Sequence, residues 1–280
     1  MSDNSEQRDF WTDDAGPIWV EQRSGMDALL SGILGKTLKR ADLDAGHSVL
    51  DIGCGAGSST LAIAEQIGES GHVTGVDISR TLLDDAQNRA MGRTNIGFLE
   101  ADAQSYPLVP QTADAVVSRF GVMFFEDSVK AFKNMAAALR DDGIISFSAW
   151  GAIGENPFFT LPAQIARQIL GPIPKSDPDA PGPFAFRAPD RIEAVLSAAG
   201  LLPTVDVVTE QLVCADGAEA LARIMCQIGP AHSALLYHEA DAAAQALLME
   251  ALTDALGTYQ TEVGIAIPAQ INYATARKST

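Results

Sequence analysis

The chain has 280 residues, enough for one full α/β domain with insertions or for two small domains. Its 36 acidic residues outnumber its 19 basic residues and give a net charge of −17. This charge disfavours nucleic acid and anionic membrane surfaces as partners, because proteins bind both through clusters of lysine and arginine.

The first residues and the cysteines bear on the compartment of the protein. Residues 1–6 are polar and acidic, without the basic and apolar regions of a secretory signal. No apolar run approaches the roughly 18–20 residues of a membrane helix. The cysteines, Cys54, Cys214 and Cys226, are scattered and form neither a disulfide framework nor a zinc-ligand spacing. We therefore expect a cytoplasmic protein without a bound metal.

The centre of the chain alternates short β-branched runs with helical stretches, which predicts βαβ units and a parallel sheet. Residues 1–44 precede this pattern and are expected to form an N-terminal helical lid. The predicted core, residues 45–150, contains five strands at residues 47–52, 72–77, 95–100, 114–118 and 144–149. Three helices are predicted between these strands. The first begins at Ser58, the second covers residues 80–90, and the third covers residues 128–139.

The pattern changes after residue 150. Residues 151–188 contain seven of the fourteen prolines, which predicts an insertion with a short helix near residues 161–170. Residues 189–213 return to the core with a helix at 189–199 and a strand at 204–213. Residues 214–262 are rich in Ala and Leu and are expected to form a helical lid, broken near Gly229, or equally well a homodimer contact. The last core strand is expected at 265–274, within residues 263–280.

The first βα turn carries the strongest chemical signal. Gly53, Gly55 and Gly57 follow a buried strand at alternate positions, which allows a tight turn and a close approach of ligand to backbone. Such a turn alone could serve NAD, FAD, a phosphate or S-adenosylmethionine. However, Asp51 precedes it, and residues 41–79 contain no Lys or Arg. These charges oppose a pyrophosphate and favour S-adenosylmethionine, which carries a sulfonium and an ammonium group.

Two further acidic residues lie at the ends of predicted strands. Asp77 ends the second strand about twenty residues beyond the turn, where an acid accepts hydrogen bonds from ribose hydroxyls. Asp102 follows the third strand, where its side chain could accept the exocyclic amine of adenine or cap the next helix. Asp77 supports a nucleoside ligand without choosing between NAD and S-adenosylmethionine.

These residues belong to a set of ordered motifs. Residues 49–57, VLDIGCGAG, and the segments at 76–79, 100–103, 113–118 and 139–143 resemble class I S-adenosylmethionine-dependent methyltransferases. The most similar branch contains the ubiquinone and menaquinone C-methyltransferases and related small-molecule methyltransferases. The resemblance covers about residues 45–150 and implies a Rossmann-like, seven-stranded α/β sheet with an antiparallel last strand. The sequence Asp-Asp-Gly at 141–143 departs from the usual Pro-Gly-Gly, in a turn expected to lie far from the cofactor.

The resemblance also implies a set of cofactor-binding residues. Asp51, Gly53 and Gly55 would hold the methionine end of S-adenosylmethionine, and Asp77 would hold the ribose. The full set is Asp51, Gly53, Cys54, Gly55, Asp77, Ile78, Asp102, Ala103, Ser118, Arg119 and Phe120. Cys54 is expected to act as a small filler rather than through its thiol.

Aromatic residues and one histidine complete the candidate site. Trp19 is expected near the methyl donor and Trp11 near the substrate, although both rings could instead anchor the N-terminal segment on the core. Phe120 and Met123 follow the fourth strand, where the ligand crevice of an open α/β sheet lies, and are expected to line the substrate pocket. His232 is a candidate base, with a surface or structural role as the alternative.

The predicted function is methyl transfer from S-adenosylmethionine to an oxygen, nitrogen, carbon or sulfur atom of a small molecule. Alignment of the two reactants can supply much of the rate, so a dedicated base is not required. The segment Ser118-Arg119-Phe120-Gly121 lacks the Asn/Asp-Pro-Pro-aromatic run of enzymes that methylate amino groups of nucleic acids. The alternatives are an NAD(P)-dependent oxidoreductase and a non-catalytic cofactor-binding scaffold.

Overall fold

The computed structural model describes residues 4–175 and 177–278. One β-sheet forms its centre, and helices cover both faces. The strands are β1 (Ser48–Ile52), β2 (His72–Asp77), β3 (Ile96–Glu100), β4 (Ala113–Arg119), β5 (Leu139–Trp150), β6 (Leu201–Cys214), β7 (Gln260–Thr261) and β8 (Gly264–Lys278). The α-helices are α1 (Ser5–Asp9), α2 (Ala15–Leu29), α3 (Ser31–Ala41), α4 (Ser58–Ile67), α5 (Arg80–Arg89), α6 (Ser128–Ala138), α7 (Pro157–Ile169), α8 (Pro189–Ala198), α9 (Ala218–Gln227), α10 (Pro230–Tyr237) and α11 (Ala242–Leu256).

The strand order of the sheet is β3-β2-β1-β4-β5-β8-β6, with the short β7 paired to β8. Strands β1 to β5 pair in parallel, and β8 is antiparallel to both β5 and β6. The predicted Rossmann-like sheet with an antiparallel last strand is therefore confirmed. The two-residue β7 is an addition that the sequence did not predict.

Residues of the central strands alternate between two hydrophobic layers. Val49 and Val117 belong to the layer that contains the buried residues of α3 and α4. Val116 and Phe147 belong to the opposite layer, with the buried residues of α6 and α8. Burial on both faces makes a strand nearly continuously hydrophobic, which is why the apolar run near residue 115 predicted β4 correctly.

The fifth strand is longer than predicted. Its register moves from Ala113 opposite Leu139 to Ala115 opposite Ile144, so residues 140–143 form an irregular bulge within β5. Arg140 forms an ion pair with Asp114 beside this bulge. The predicted start of this strand at residue 144, after a turn at 141–143, is therefore wrong. A bulge accommodates these residues while the pairing of β5 with β4 continues.

The last two long strands also extend beyond their predicted ends. β6 and β8 pair from Leu201 opposite Lys278 to Cys214 opposite Ile265. The predicted bounds are 204–213 and 265–274, whereas the pairing also includes residues 201–203, Cys214 and residues 275–278, because backbone hydrogen bonds do not depend on the hydrophobic pattern. Pro203 lies within β6, an edge strand, where a missing backbone donor is tolerated.

The helical segments after residue 150 differ from the prediction in their boundaries. α7 begins at Pro157 rather than near residue 161, because proline is suited to the first turn of a helix. The expected break at Gly229 is present, with φ of 90°, and a second break separates α10 from α11. Within the described part of the chain, no helix is long and apolar enough to cross a membrane.

A π-helical turn, Phe10–Asp14, separates α1 from α2. Within this irregular turn, the carbonyl oxygen of Trp11 accepts a hydrogen bond from Ser79 Oγ (2.7 Å), and that of Thr12 accepts one from Thr81 Oγ1 (2.7 Å). Irregular helical turns of this kind are frequent at functional sites. The two bonds connect the N-terminal segment to the start of α5, directly after β2.

A buried polar network attaches α3 to the sheet. Tyr273 of β8 is fully buried and donates its hydroxyl to Glu210 Oε1 of β6 (2.9 Å). Lys36 Nζ of α3 donates to the other carboxylate oxygen of Glu210 (2.6 Å), and the Arg40 guanidinium lies 4.2 Å from the Tyr273 ring centroid. Burial and the adjacent Glu210 carboxylate raise the pKa of Tyr273, so its hydroxyl stays protonated and able to donate.

We predict that Tyr273→Phe destabilises the protein, because Glu210 Oε1 then loses its donor in a buried position. The expected loss in the free energy of unfolding is about 1–3 kcal/mol, measured by urea denaturation. Tyr237→Phe is the control, since Tyr237 is 58% exposed, and its effect should stay within about 0.5 kcal/mol. Equal stabilities of the two variants would contradict this role of Tyr273.

Candidate functional site

The glycine turn between β1 and α4 is tightly folded. Gly53, Gly55 and Gly57 have φ values of 65°, 54° and 83°, a region that favours glycine. The amides of Gly53 and Cys54 donate to the carbonyl of Val76 (2.8 and 3.2 Å), which joins the turn to the end of β2. The turn therefore has the compact form that the glycine spacing predicts.

The turn also makes close contact with the loop after β4. A Cβ atom on Gly53 would lie 2.6 Å from the Cα of Gly121, and one on Gly121 would lie 2.6 Å from the Ile52 carbonyl oxygen. Neither position has room for a side chain. This contact places Arg119 and Phe120, the two residues before Gly121, beside the glycine turn.

Asp51 lies behind the turn rather than in a cavity. Its side chain is fully buried, and Oδ2 accepts hydrogen bonds from Ser59 Oγ (2.7 Å) and Thr60 Oγ1 (2.6 Å) at the start of α4. Oδ1 is buried without a partner among the described residues. Burial raises the pKa of the Asp51 carboxyl from 3.8 to about 6, against the opposing effect of the two hydroxyl donors. Asp51 is thus a buried, incompletely solvated carboxylate at the strand end.

Asp77 connects the end of β2 to the glycine turn. Its Oδ2 accepts a hydrogen bond from the Gly55 amide (2.8 Å), and its Oδ1 accepts one from the Ser79 amide (2.8 Å). Burial raises the pKa of this carboxyl, while the backbone donors oppose the shift. The side chain of Ser79 in turn caps α5 by accepting from the Leu82 amide (3.2 Å).

Asp102 organises the segment after β3. Its Oδ1 accepts hydrogen bonds from the Gln104 amide (2.9 Å) and from Asn4 Nδ2 (2.9 Å), and its Oδ2 accepts one from Ser105 Oγ (2.7 Å). A turn, not a helix, follows Asp102, so the predicted alternative of a helix cap is wrong. Asp102 instead accepts a hydrogen bond from a backbone amide of that turn. No sequence motif marked Asn4, whose side chain is brought to Asp102 from 98 residues away.

These residues surround one large cavity. Its volume is about 960 Å³, at the upper end of the roughly 300–1,000 Å³ of small-molecule sites. It is lined by the last residues of β1, β2, β4 and β5, which are Ile52, Asp77, Arg119 and Trp150. The cavity therefore occupies the carboxyl edge of the sheet, where α/β folds bind ligands.

Most of the predicted site residues line this cavity. Those that do are Trp11, Trp19, Gly53, Cys54, Gly55, Asp77, Ile78, Asp102, Ala103, Arg119, Phe120, Met123 and His232. Asp51 and Ser118 are not among its lining residues. Ser118 Oγ accepts a hydrogen bond from the Gly121 amide (3.1 Å), so this side chain supports the loop beside the cavity.

The charges in the cavity differ from the expectation in one respect. Residues 41–79 contain no cation, yet Arg23 and Arg119 reach the cavity from α2 and β4. The expectation that no side-chain cation lies near the turn is therefore wrong, because the fold brings in residues distant in sequence. Arg23 pairs with Asp85, and Arg119 Nη2 lies 3.3 Å from Asp27 Oδ1.

The cavity nevertheless remains acidic. Its charged lining residues are Asp13, Asp14, Asp27, Asp77 and Asp102 against Arg23 and Arg119. The second guanidinium nitrogen of Arg119, Nη1, is buried and has no partner among the described residues. The site thus combines an excess of carboxylates with one cationic group that can still receive an anion.

Phe120 has an unusual backbone conformation, with φ of 64° in a non-glycine residue. Such conformations are uncommon and occur often at ligand sites. Its ring stacks on Trp150 with a centroid distance of 4.5 Å and an interplanar angle of 10°. The sequence marked Phe120 but missed Trp150, although Trp150 ends β5 as Asp77 ends β2.

The thiol of Cys54 has no chemical role that the surroundings support. It is buried, and burial together with the nearby carboxylates of Asp77 and Asp51 raises its pKa well above the usual value. A thiol held in its protonated form is a poor nucleophile. Among residues 4–175 and 177–278, no group of three or more His, Cys, Asp or Glu side chains is arranged to hold a metal ion.

Part of this chain is similar in sequence to known proteins. Residues 49–143 match the family model of a methyltransferase domain. The demethylmenaquinone methyltransferase of Shouchella clausii is 35% identical over 111 residues, which are 39% of this chain and 47% of that protein. The chain thus spans about half the length of the curated relatives it matches. This match lies in the part of the chain that carries the glycine turn.

Two solved structures share the fold across most of the chain. A Haemonchus contortus phosphoethanolamine N-methyltransferase 2 in complex with S-adenosylmethionine has a TM-score of 0.55 and 18% identity, covering 98% of this chain and 60% of that one. The cyclase SpnF has a TM-score of 0.53 and 18% identity, covering 89% and 81%. Residues 49–143 are therefore similar to a methyltransferase domain, and the chain has the class I methyltransferase fold that the sequence motifs predict.

We predict that Asp51→Asn changes how stability depends on pH. Between pH 3.8 and about 6 the folded protein keeps a proton on Asp51 that the unfolded chain has lost, so rising pH lowers the free energy of unfolding. An asparagine lacks this ionisation. The stability of the variant relative to wild type should rise by about 1–3 kcal/mol from pH 4 to pH 7, measured by urea denaturation at each pH without ligand. A constant difference across this range would contradict the burial of an ionised Asp51.

Proposed function

We propose that this chain is an S-adenosylmethionine-dependent methyltransferase that acts on a small molecule. The observation that carries the proposal is the charge of the cavity above the glycine turn, where five carboxylates face two guanidiniums. S-adenosylmethionine presents a sulfonium, an ammonium and one carboxylate to such a site. A dinucleotide would present the two charges of a pyrophosphate to the same carboxylates. Arg23 is already paired with Asp85, and the one unpartnered nitrogen of Arg119 does not offset that cost.

The side chains and backbone present fit this cofactor. A Cβ on Gly55 would meet nothing closer than Leu82 Cδ1 at 4.0 Å, so a ligand can approach the turn closely. Arg119 Nη1, buried without a partner, is suited to the methionine carboxylate because charge-assisted hydrogen bonds are strong. Each oxygen of Asp77 accepts one amide hydrogen bond and retains a lone pair for a ribose hydroxyl. Asp102 and Ala103 would face the adenine.

We assign Asp51 a supporting role in place of direct contact. Its carboxylate holds Ser59 and Thr60 at the start of α4 and adds a negative charge behind the glycine turn. When bound, S-adenosylmethionine supplies a methyl group activated by its sulfonium. Trp11 and Trp19, whose ring centroids lie 5.7 Å apart, offer aromatic faces that a cation can approach.

The rest of the cavity would receive the methyl acceptor. Trp150, Phe158 and His232 line it from segments outside the matched domain, so the acceptor of this chain does not follow from the relatives. The residues would align the acceptor with the cofactor and exclude water from the reacting atoms. His232 lines the cavity and would be the candidate base for an oxygen or nitrogen acceptor. In keeping with the acidic charge, we propose a cytoplasmic enzyme with no nucleic acid or membrane substrate.

Methyl transfer can be tested directly. The purified protein, incubated with methyl-labelled S-adenosylmethionine and a metabolite extract, should transfer label to a low-molecular-mass product. Calorimetry should show binding of S-adenosylhomocysteine and none of NAD. Binding of NAD with none of S-adenosylhomocysteine would contradict the proposal. Binding of S-adenosylhomocysteine without turnover on any extract would instead support the scaffold alternative.

We predict that Asp77→Asn weakens binding of S-adenosylhomocysteine at least ten-fold. The amide group cannot accept at both positions, so either the Gly55 amide or a ribose hydroxyl loses its acceptor, and hydrogen bonds to charged groups are worth about 1.5–3 kcal/mol. Calorimetry measures the affinity, and a thermal melt without ligand reports any damage to the turn. Asp84→Asn, at an exposed position of the following helix α5, should bind like wild type. Unchanged affinity of a folded Asp77→Asn protein would place the ribose elsewhere.

We further propose that residues 1–44, 151–188 and 214–262 act as lids over the cavity. The hydrogen bonds of Asn4 to Asp102, and of Trp11 to Ser79, support this for the first segment, because both join it to the proposed nucleoside site. Such lids should tighten when cofactor binds.

The lid prediction is testable by hydrogen exchange with and without S-adenosylhomocysteine. Protection should rise in all three segments at constant oligomeric state. Protection of residues 214–262 that follows protein concentration instead would identify a homodimer contact, which the exposed Leu236, Tyr237 and Leu247 would suit equally well.

A further inference from the structure

The carboxylate of Asp27, on helix α2, contacts three other segments of the fold. Its Oδ1 lies 3.3 Å from Nη2 of Arg119, the last residue of β4. Its Oδ2 lies 3.2 Å from Nη2 of Arg89, the last residue of α5, and also accepts a hydrogen bond from the hydroxyl of Ser58 at the start of α4. We call these four residues the Asp27 cluster. No sequence motif marks Asp27, which lies outside the segment that matches the family model.

The Asp27 cluster is attached to the glycine turn. Arg89 Nη1 donates to the carbonyl oxygen of Ala56 within the turn (2.6 Å) and to Ser58 Oγ (3.0 Å). The side chains of Asp27, Arg89 and Arg119 are 24%, 25% and 14% exposed. Solvent therefore screens this network less than it screens an ion pair on the surface. The contacts hold α2, the turn and the end of β4 in fixed relative positions.

Asp27 occupies one side of the Arg119 guanidinium and leaves another nitrogen free. Arg119 lines the large cavity, and its Nη1 is buried without a partner among the described residues. A guanidinium is planar and its donors have fixed directions, so a bond at Nη2 also fixes the direction of Nη1. A free arginine side chain loses considerable rotamer entropy when it is ordered by a ligand. The contact with Asp27 removes part of this cost before a ligand binds.

The charges of the cluster leave Arg119 able to attract an anion. A single carboxylate would cancel the charge of a single guanidinium. Arg89, however, pairs with the other oxygen of Asp27, so two guanidiniums and one carboxylate keep a net positive charge. The other arginine that lines the cavity, Arg23, is paired with Asp85. An anionic group of a ligand is therefore best received at Arg119.

We infer that Asp27 is a positioning residue that orients Arg119 toward the carboxylate of the methionine part of S-adenosylmethionine. This inference rests on the proposed function and extends the cofactor site to α2, which precedes the matched segment. Asp27 acts through Arg119, since its two oxygens already accept hydrogen bonds within the cluster. Its effect on binding is therefore confined to ligands that carry the carboxylate.

Two ligands separate this role from a general effect on the fold. S-adenosylhomocysteine carries both the carboxylate and the ammonium group of the amino acid. Decarboxylated S-adenosylhomocysteine keeps the ammonium group and the nucleoside but lacks the carboxylate. Calorimetric titrations of the full chain measure both affinities, and each variant is compared with wild type for each ligand. Thermal melts without ligand report whether each variant is folded.

Asp27→Asn should weaken binding of S-adenosylhomocysteine about ten-fold and change the affinity for the decarboxylated ligand by less than about three-fold. Both carboxylate oxygens accept hydrogen bonds, so in either orientation the amide places its NH₂ group against a donor of the cluster. Asp206→Asn is the matched control, because it removes a carboxylate that pairs with Arg40 (3.2 Å) away from the cavity. This control should bind both ligands like wild type.

A second variant tests whether Asp27 acts through Arg119. Arg119→Gln should weaken binding of S-adenosylhomocysteine at least as much as Asp27→Asn does, with little effect on the decarboxylated ligand. The double variant should bind S-adenosylhomocysteine no more weakly than Arg119→Gln alone, because both residues serve the same ligand group.

Three results would overturn the inference. Equal weakening of both ligands by Asp27→Asn would indicate a structural role or a direct contact with the ammonium group. Additive losses in the double variant would separate Asp27 from Arg119. Wild-type affinity of Arg119→Gln for S-adenosylhomocysteine would exclude the inferred contact even if Asp27→Asn fails to fold. Binding of neither ligand to wild type would refute the proposed function rather than the role of Asp27.

Discussion

The site depends on the contact between two backbone segments at the carboxyl edge of the sheet. Gly53 after β1 and Gly121 after β4 approach so closely that neither has room for a Cβ atom. β1 and β4 are neighbours at the point where the strand order changes direction, which is where open α/β sheets form their ligand crevice. The contact sets the distance between the glycine turn and the loop that carries Arg119 and Phe120. The positive φ of Phe120 is the local strain that accompanies this path of the chain.

The electrostatics of this edge oppose folding and favour binding. Asp51 and Asp77 are both buried carboxylates with raised pKa values, and Asp51 Oδ1 has no hydrogen-bond donor among the described residues. Two buried acids near each other are stabilised only in part by Arg119 and the backbone amides around them. A ligand with positive charge relieves this repulsion, so its binding free energy also stabilises the folded protein. Stability and function are therefore in opposition at the same residues.

The fold and the acceptor chemistry are separate properties of this chain. The part of the cavity proposed for the cofactor includes the glycine turn and the strand ends within residues 49–143, which match the family model. Trp150, Phe158 and His232 line the cavity from outside this segment, and the cyclase SpnF shows that chains of this fold are not limited to one activity. Functional specificity is consequently expected to reside in the segments that cover the sheet rather than in the sheet itself.

The sequence alone determined which strands and turns follow one another along the core. Gly53, Gly55, Asp77 and Asp102 were identified because they stand at strand ends, and a parallel sheet brings all of its strand ends to one edge. The apolar run predicted β4, and the seven-stranded sheet was what the resemblance of the ordered motifs to class I methyltransferases implied. Local residue patterns carry this information because hydrophobic periodicity and turn glycines act over a few residues.

Tertiary structure decided which residues distant in sequence come into contact or line the same cavity. The contact of Asn4 with Asp102, and the positions of Arg23 and Gln227 in the cavity lining, each result from chain segments that meet only after folding. No local pattern marks them, because neither their hydrogen bonds nor their burial depends on neighbouring residues. The same reason explains why Asp51 was expected in contact with a ligand: the sequence places it at the strand end, and only packing against Ser59 and Thr60 turns its carboxylate into the interior.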